Sequence, residues 1–84
     1  MIRWDPAKSE RLKRLRGFSF GEILQMELVG TFEHTTRKNQ QLYLFRYKAY
    51  IWVVPYVVRG GEIFLKTLFP SRKYTKMYER GELP

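Results

Sequence analysis

The 84-residue chain has no cysteine and a single histidine, His34. A disulfide framework, a thiolate metal site and a multi-histidine metal centre are therefore excluded, and no cofactor is expected. The one Gly-Gly pair, Gly60-Gly61, reads as a turn rather than a phosphate-cradling loop. No apolar run is long enough for a membrane span: the longest, Tyr50 to Val58, falls far short. The opening residues Met1-Ile2-Arg3-Trp4-Asp5 carry charge where a secretory leader needs an apolar stretch. The expectation is a soluble, cytoplasmic, single-domain protein with no membrane partner. Internal repeats, low-complexity segments and linkers are also missing.

Acidic residues are few. Sixteen Lys and Arg face eight Asp and Glu, for a net charge of +8. The excess is blocked: residues 1–16 carry +4, residues 17–36 carry −3, residues 37–48 carry +4, and residues 64–84 carry +3. Folded into a small surface, three basic blocks are expected to converge. Such a field attracts phosphate backbones and speeds encounter with them. A charged face kept for solubility is the plainer explanation, but so large an imbalance favours a polyanion such as RNA, or an acidic protein. Against the charge stands a 44% apolar and 17% aromatic composition, too hydrophobic for a disordered tail.

The pattern of elements is helix, helix, strands, helix. Asp5 and Pro6 suit the cap and first position of a helix running to about Arg16 and closed by Gly17. Ser19 and Glu22 form a capping-box pattern for a second helix, with Phe20, Ile23, Leu24 and Leu28 as its buried stripe. Thr31 to Thr35 alternates weakly as a first strand, and Arg37 to Gln40 reads as a polar loop. Leu42 to Tyr47 and Tyr50 to Val58 are strands joined tightly at Lys48-Ala49. Gly60-Gly61 turns the chain into a last strand, Ile63 to Phe69, which Pro70 ends. Ser71 caps a terminal helix from Arg72 to Arg80. The expected architecture is α+β: two N-terminal helices, about four antiparallel strands and a short C-terminal helix, with the helices on one face of the sheet. Pairing through the Gly60-Gly61 turn sets Pro55 opposite Lys66, where a ladder donor is required and proline has none. A bulge or break is expected there.

No Ser–His–Asp or Cys–His set and no paired carboxylates are evident. What remains is basic and aromatic: Lys66, Arg72, Lys73, Tyr74, Lys76 and Tyr78, with Arg46 and Lys48 from the middle block. Such groups could cleave RNA without a metal. The ribose 2′-hydroxyl attacks the adjacent phosphorus, a cation steadies the phosphorane, and clustered cations depress one another's pKa enough for proton transfer. Arg72, Lys66, Lys73 and His34 are the candidate catalytic residues. Arg46, Lys48, Tyr74, Lys76 and Tyr78 are the candidate RNA contacts, the tyrosines by stacking on unpaired bases. Each has a duller role open to it. Lys66 suits a solvated sheet face, Tyr74 and Tyr78 suit core packing, and a lone strand histidine is commonly structural despite a pKa near neutrality. Arg72 and Lys73 at a helix start oppose the helix dipole, which hints at function.

Trp4-Asp5-Pro6-Ala7-Lys8, then Gly17-Phe18-Ser19-Phe20-Gly21-Glu22, then a hairpin, then Ser71-Arg72-Lys73 with Thr75, resembles the BrnT-like toxins of the RelE/ParE group along nearly the whole chain. The resemblance implies one RelE-like domain over residues 1–84. It further implies a translation-inhibiting endoribonuclease, the toxin of a type II toxin–antitoxin system, held in a hetero-oligomer by its cognate antitoxin. Arg72 matches the family's terminal-helix arginine, and Lys66 falls near a basic position. Leu12, Arg16 and Tyr78 stand where the family usually has Asn, His and Glu, so those roles do not carry over. Alternatives are a non-catalytic module binding RNA or an antitoxin, and a ParE-like poison of DNA gyrase.

Overall fold

The computed structural model describes residues 1–33 and 40–83. His34 and the Arg37–Asn39 part of the expected loop lie outside the described residues. The elements are β1 (Ile2–Arg3), α1 (Pro6–Arg16), α2 (Phe20–Ile23), β2 (Glu27–Glu33), β3 (Gln40–Tyr47), β4 (Tyr50–Arg59), β5 (Glu62–Leu65), β6 (Phe69–Ser71) and α3 (Arg72–Glu79). The α+β class holds. The strand layout is richer than expected: six strands in the order β1-β5-β4-β3-β2, with β6 also on β4.

Both N-terminal caps form as their residues dictate. Asp5 accepts from the amide of Ala7 at 2.9 Å, and Gly17 closes α1 at φ 95°, a left-handed conformation open to glycine. Ser19 and Glu22 complete the reciprocal capping box of α2. Buried Ser9 ties the two helices, its hydroxyl accepting from the amide of Phe20 at 2.9 Å. Lys13 reaches the Glu22 carboxylate at 2.7 Å and, with the Ser19 amide, holds that carboxyl below its ordinary pKa.

Four expectations are corrected. First, α2 is one turn long. Leu24 is its C-cap, and Leu28 lies in β2 with 52% of its surface exposed. The strand register of β2 against β3, from Glu27↔Arg46 onward, overrides the helical spacing of those leucines. Second, the sheet is mixed rather than antiparallel. Ile2 and Arg3 pair parallel to Ile63 and Phe64, with the Met1 carbonyl accepting from the Ile63 amide at 2.9 Å. Two residues are too few to carry a visible pattern. Third, the last strand is two strands, and Pro70 lies inside β6 rather than ending a strand, opposite Trp52. Fourth, the helices cover both faces. Leu12, Phe20 and Ile23 pack on Phe45, Trp52, Val54, Tyr56 and Leu65. Tyr74 and Tyr78 of α3 pack on Leu42, Leu44, Ile51 and Val53. Alternate residues of β4 thus enter two different cores, which is why its whole central run is buried.

The break at Pro55 occurs as the pairing argument requires. The Lys66 amide donates to the Pro55 carbonyl at 2.8 Å, but Pro55 has no N–H to return. The β4–β5 ladder ends at Tyr56↔Leu65 and pairing resumes only at Val53↔Phe69. Arg16 secures the intervening segment by donating from its guanidinium to the Leu68 carbonyl. Thr75 does the same on the other side of the turn into α3: it accepts from the Ile51 amide at 2.9 Å and donates to the Ser71 carbonyl at 2.6 Å.

Tyr56 makes the sharpest pH prediction. Its ring stacks on Tyr43 at 4.0 Å, and its hydroxyl donates to Gln41 Oε1 at 2.5 Å. Burial first, and the neighbouring Tyr43 second, push its pKa from 10.0 to about 12. The folded state therefore holds this proton more tightly than the unfolded chain does. Below pH 10 its contribution is whole; as pH rises from about 10 to about 12 the unfolded chain ionises first and stability falls. Tyr56→Phe should cost about 1 kcal/mol near neutrality and flatten this alkaline loss. Urea midpoints compared at neutral and alkaline pH measure both effects.

Candidate nucleic-acid interface

The three basic blocks do not meet in one groove. The first lies on α1, over one face of the sheet, with Arg11, Lys13, Arg14 and Arg16 exposed. The third lies mostly on α3, over the opposite face, with Lys66 apart from it just after β5. This is a correction: once α1 and α3 sit on opposite sides of the sheet, their charges cannot share a concavity.

The middle block does join the third. Arg46 lies over the Tyr78 ring at 5.9 Å from its centre and donates to the Lys48 carbonyl at 3.3 Å. Its strongest partner is the Glu27 carboxylate at 2.6 Å, which raises the guanidinium's pKa further and keeps it charged. Lys48 is in the β3–β4 turn with its ammonium 5.3 Å from the centre of the Tyr47 ring. Arg46 and Tyr78 therefore meet where the hairpin reaches the end of α3, whereas the Lys48 ammonium turns to the Tyr47 ring, which packs on Phe18 on the α1–α2 side of the sheet.

Amphipathic α3 divides its residues cleanly. Thr75 is buried, and Tyr74 and Tyr78 are half-buried against the sheet. Tyr74 lies 5.4 Å from the Phe32 ring, centre to centre. Much of each tyrosine's surface is thus committed to packing. Arg72, Lys73, Lys76 and Arg80 are all exposed, because positions three and four apart recur on one side of a helix. Ser71 caps the helix, accepting from the Tyr74 amide at 3.1 Å. Ser71 and Thr75 thus hold the frame, and Arg72 and Lys73 project from it.

Lys66 is elsewhere. It lines a cleft of about 560 Å³ together with Lys8, Arg59, Trp4, Asp5 and Phe64. Of the proposed catalytic residues, Arg72 and Lys73 are neighbours, Lys66 opens into this separate cleft, and His34 is not among the described residues. Lys8, Arg59, Trp4 and Phe64 were not among the sequence candidates. They converge only because β1 pairs with β5, which seats the start of α1 beside the end of β5. The Trp4-to-Lys8 motif was the available signal.

Lys48 has φ 55° in a turn that glycine or asparagine would occupy more easily. A strained lysine suggests that the side chain is kept for its charge. Lys48→Gly should stabilise the fold by about 1 kcal/mol, and if the middle basic block contacts RNA it should also weaken that binding. A urea midpoint and a binding isotherm on the same sample decide this: unchanged affinity removes Lys48 from the interface.

Comparison with protein-family models, with curated proteins and with solved structures finds no match to this chain. Among the described residues no helix is long and apolar enough to cross a membrane. The case for function therefore stands on the residues themselves.

Proposed function

We propose that the chain is an RNA-binding, metal-independent endoribonuclease acting as the toxin of a type II toxin–antitoxin pair in the cytoplasm. The observation that carries this reading is the outer face of α3: Arg72, Lys73 and Lys76 on the helix and Arg80 at its C-cap are all exposed, while the inner face is anchored in the core. A rigid element presenting closely spaced cations suits a phosphate backbone, and fixed positions cost little reorganisation as charge builds.

In the proposed reaction the ribose 2′-hydroxyl loses its proton and its oxygen attacks the adjacent phosphorus. The bond from phosphorus to the 5′-oxygen breaks, and that oxygen takes up a proton. The products are a 2′,3′-cyclic phosphate and a 5′-hydroxyl. Arg72 steadies the phosphorane, and Lys73 is the nearest group for proton transfer. His34 is the further sequence candidate for that transfer, while Lys66 opens into a separate cleft and takes no part in it. Arg46, Lys48 and Lys76 hold flanking phosphates.

Expression in a bacterium without an antitoxin should arrest growth and degrade messenger RNA, and the purified protein should cleave RNA to cyclic-phosphate ends in the presence of a chelator. Normal growth with intact RNA would reject catalysis. A non-catalytic module binding RNA or an antitoxin then takes its place, a reading favoured by the separation of Lys66 from α3. Accumulated cleaved DNA with intact RNA would point to gyrase instead.

A further inference from the structure

The cleft beside α1 contains aromatic surface as well as charge. Trp4 and Phe64 are both half-buried, so each is held by the fold yet open to solvent. Trp4 is anchored on the inner side by Phe20, 6.0 Å away between ring centres. Phe64 is fixed by strand pairing to Arg3 on one side and Val57 on the other. A shallower cleft of about 440 Å³ shares these same two rings and continues past Ile2 and Pro6. The aromatic pair thus lies in a groove crossing the β1–β5 edge.

Three cations, Lys8, Arg59 and Lys66, line the larger cleft against one carboxylate, Asp5. That carboxylate accepts from the Ala7 amide at 2.9 Å as the cap of α1 and keeps its charge, so the three cations leave the lining a net +2. Arg3, at the edge of the groove, is ion-paired with Glu62 and adds no free charge. A volume of about 560 Å³ is within the range of small-ligand sites. Rings for a base with cations beside them for its phosphate are the two requirements of a single-stranded nucleotide site.

We propose that this cleft binds one unpaired nucleotide of a single-stranded RNA, the base stacking on Trp4 and Phe64 and the phosphates meeting Lys8, Arg59 and Lys66. The site lies apart from the α3 surface and would hold a stretch of RNA distant from the cleaved bond; it rests on the RNA reading above. An acidic peptide would use the cations but has no need of the rings, so the aromatic pair favours RNA.

The test uses the isotopically labelled full chain and a 2′-O-methyl hexauridylate, which lacks the attacking hydroxyl and is not consumed. The chain has two tryptophans, and Trp52 is buried in the core, so its indole signal is an internal control. Trp4→Phe assigns the two signals. The Trp4 indole should shift and saturate while that of Trp52 stays. Lys66→Ala and Lys8→Ala, both on side chains open to solvent, should each weaken binding about tenfold or less and reduce the slope of log affinity against log salt by about 0.7. Arg72→Ala should leave the Trp4 shift intact. If RNA binds but the Trp4 signal and the Lys8 and Lys66 variants are unaffected, the cleft assignment falls and the α3 reading survives. If no RNA binds at all, both fall. A hexaglutamate peptide or inorganic phosphate moving the Trp4 signal as strongly as the RNA would overturn nucleotide recognition at this cleft.

Discussion

Phe20→Ala should remove about 3–5 kcal/mol of the protein's stability. Phe20 has no exposed surface and sits where α2 begins, against Trp4 and the sheet. Truncating a buried phenylalanine costs about 3–5 kcal/mol through lost burial and the cavity left behind. A domain of this length has a total stability of about 4–13 kcal/mol, at about 0.05–0.15 kcal/mol per residue. The loss thus runs from about a quarter of the total to all of it. The site collapses poorly because its neighbours are held: Ser9 binds the Phe20 backbone amide, and the capping box fixes the turn that follows. A urea titration should show the midpoint falling steeply at unchanged slope. Phe20→Leu, which keeps most of the volume, should recover more than half of the loss. A midpoint shift below about 1 kcal/mol in the alanine variant would mean that α1 and α2 contribute little to the main core.

Arg72→Ala should lower the rate of RNA cleavage by about 10²–10³-fold, the usual effect of removing one group aimed at developing charge. Its effect on RNA affinity should be only a few-fold, since several other cations still hold the backbone. Stability should move the opposite way. Arg72 is exposed in the first turn of α3, where a cation faces the positive end of the helix dipole, and removing it should gain about 0.3–1 kcal/mol. A variant that is slightly more stable, still binds and no longer cuts would separate function from folding. Lys76→Ala is the control: it should weaken binding and lower its salt dependence while leaving the cleavage rate at saturation nearly unchanged. Equal losses in both variants would reduce α3 to a binding surface and remove Arg72 from the chemistry.

Much of the fold could be read without coordinates, and the readable parts share a cause. Asp5-Pro6, Gly17, the Ser19–Glu22 box and Gly60-Gly61 act through bonds and backbone angles within a few residues. The conflict at Pro55 was also legible, because a two-residue turn fixes the register and proline lacks the donor that register demands. The misread parts depend on distant partners. Leu24 and Leu28 have helical spacing, yet pairing with β3 places Leu28 in a strand. Ile2 and Arg3 become a strand only because β5 comes alongside.

The same division runs through the candidate sites. Charge, the lack of cysteine, the α+β class and the exposed cations of the terminal helix follow from residue types and short-range spacing, so the sequence alone determined them. Which cations become neighbours did not follow. That depends on α1 and α3 lying on opposite faces of the sheet, and on the parallel edge pairing that brings Trp4 and Lys8 to Phe64 and Lys66. Both are outcomes of burying two apolar surfaces of one sheet at once, a global packing requirement that no local pattern encodes.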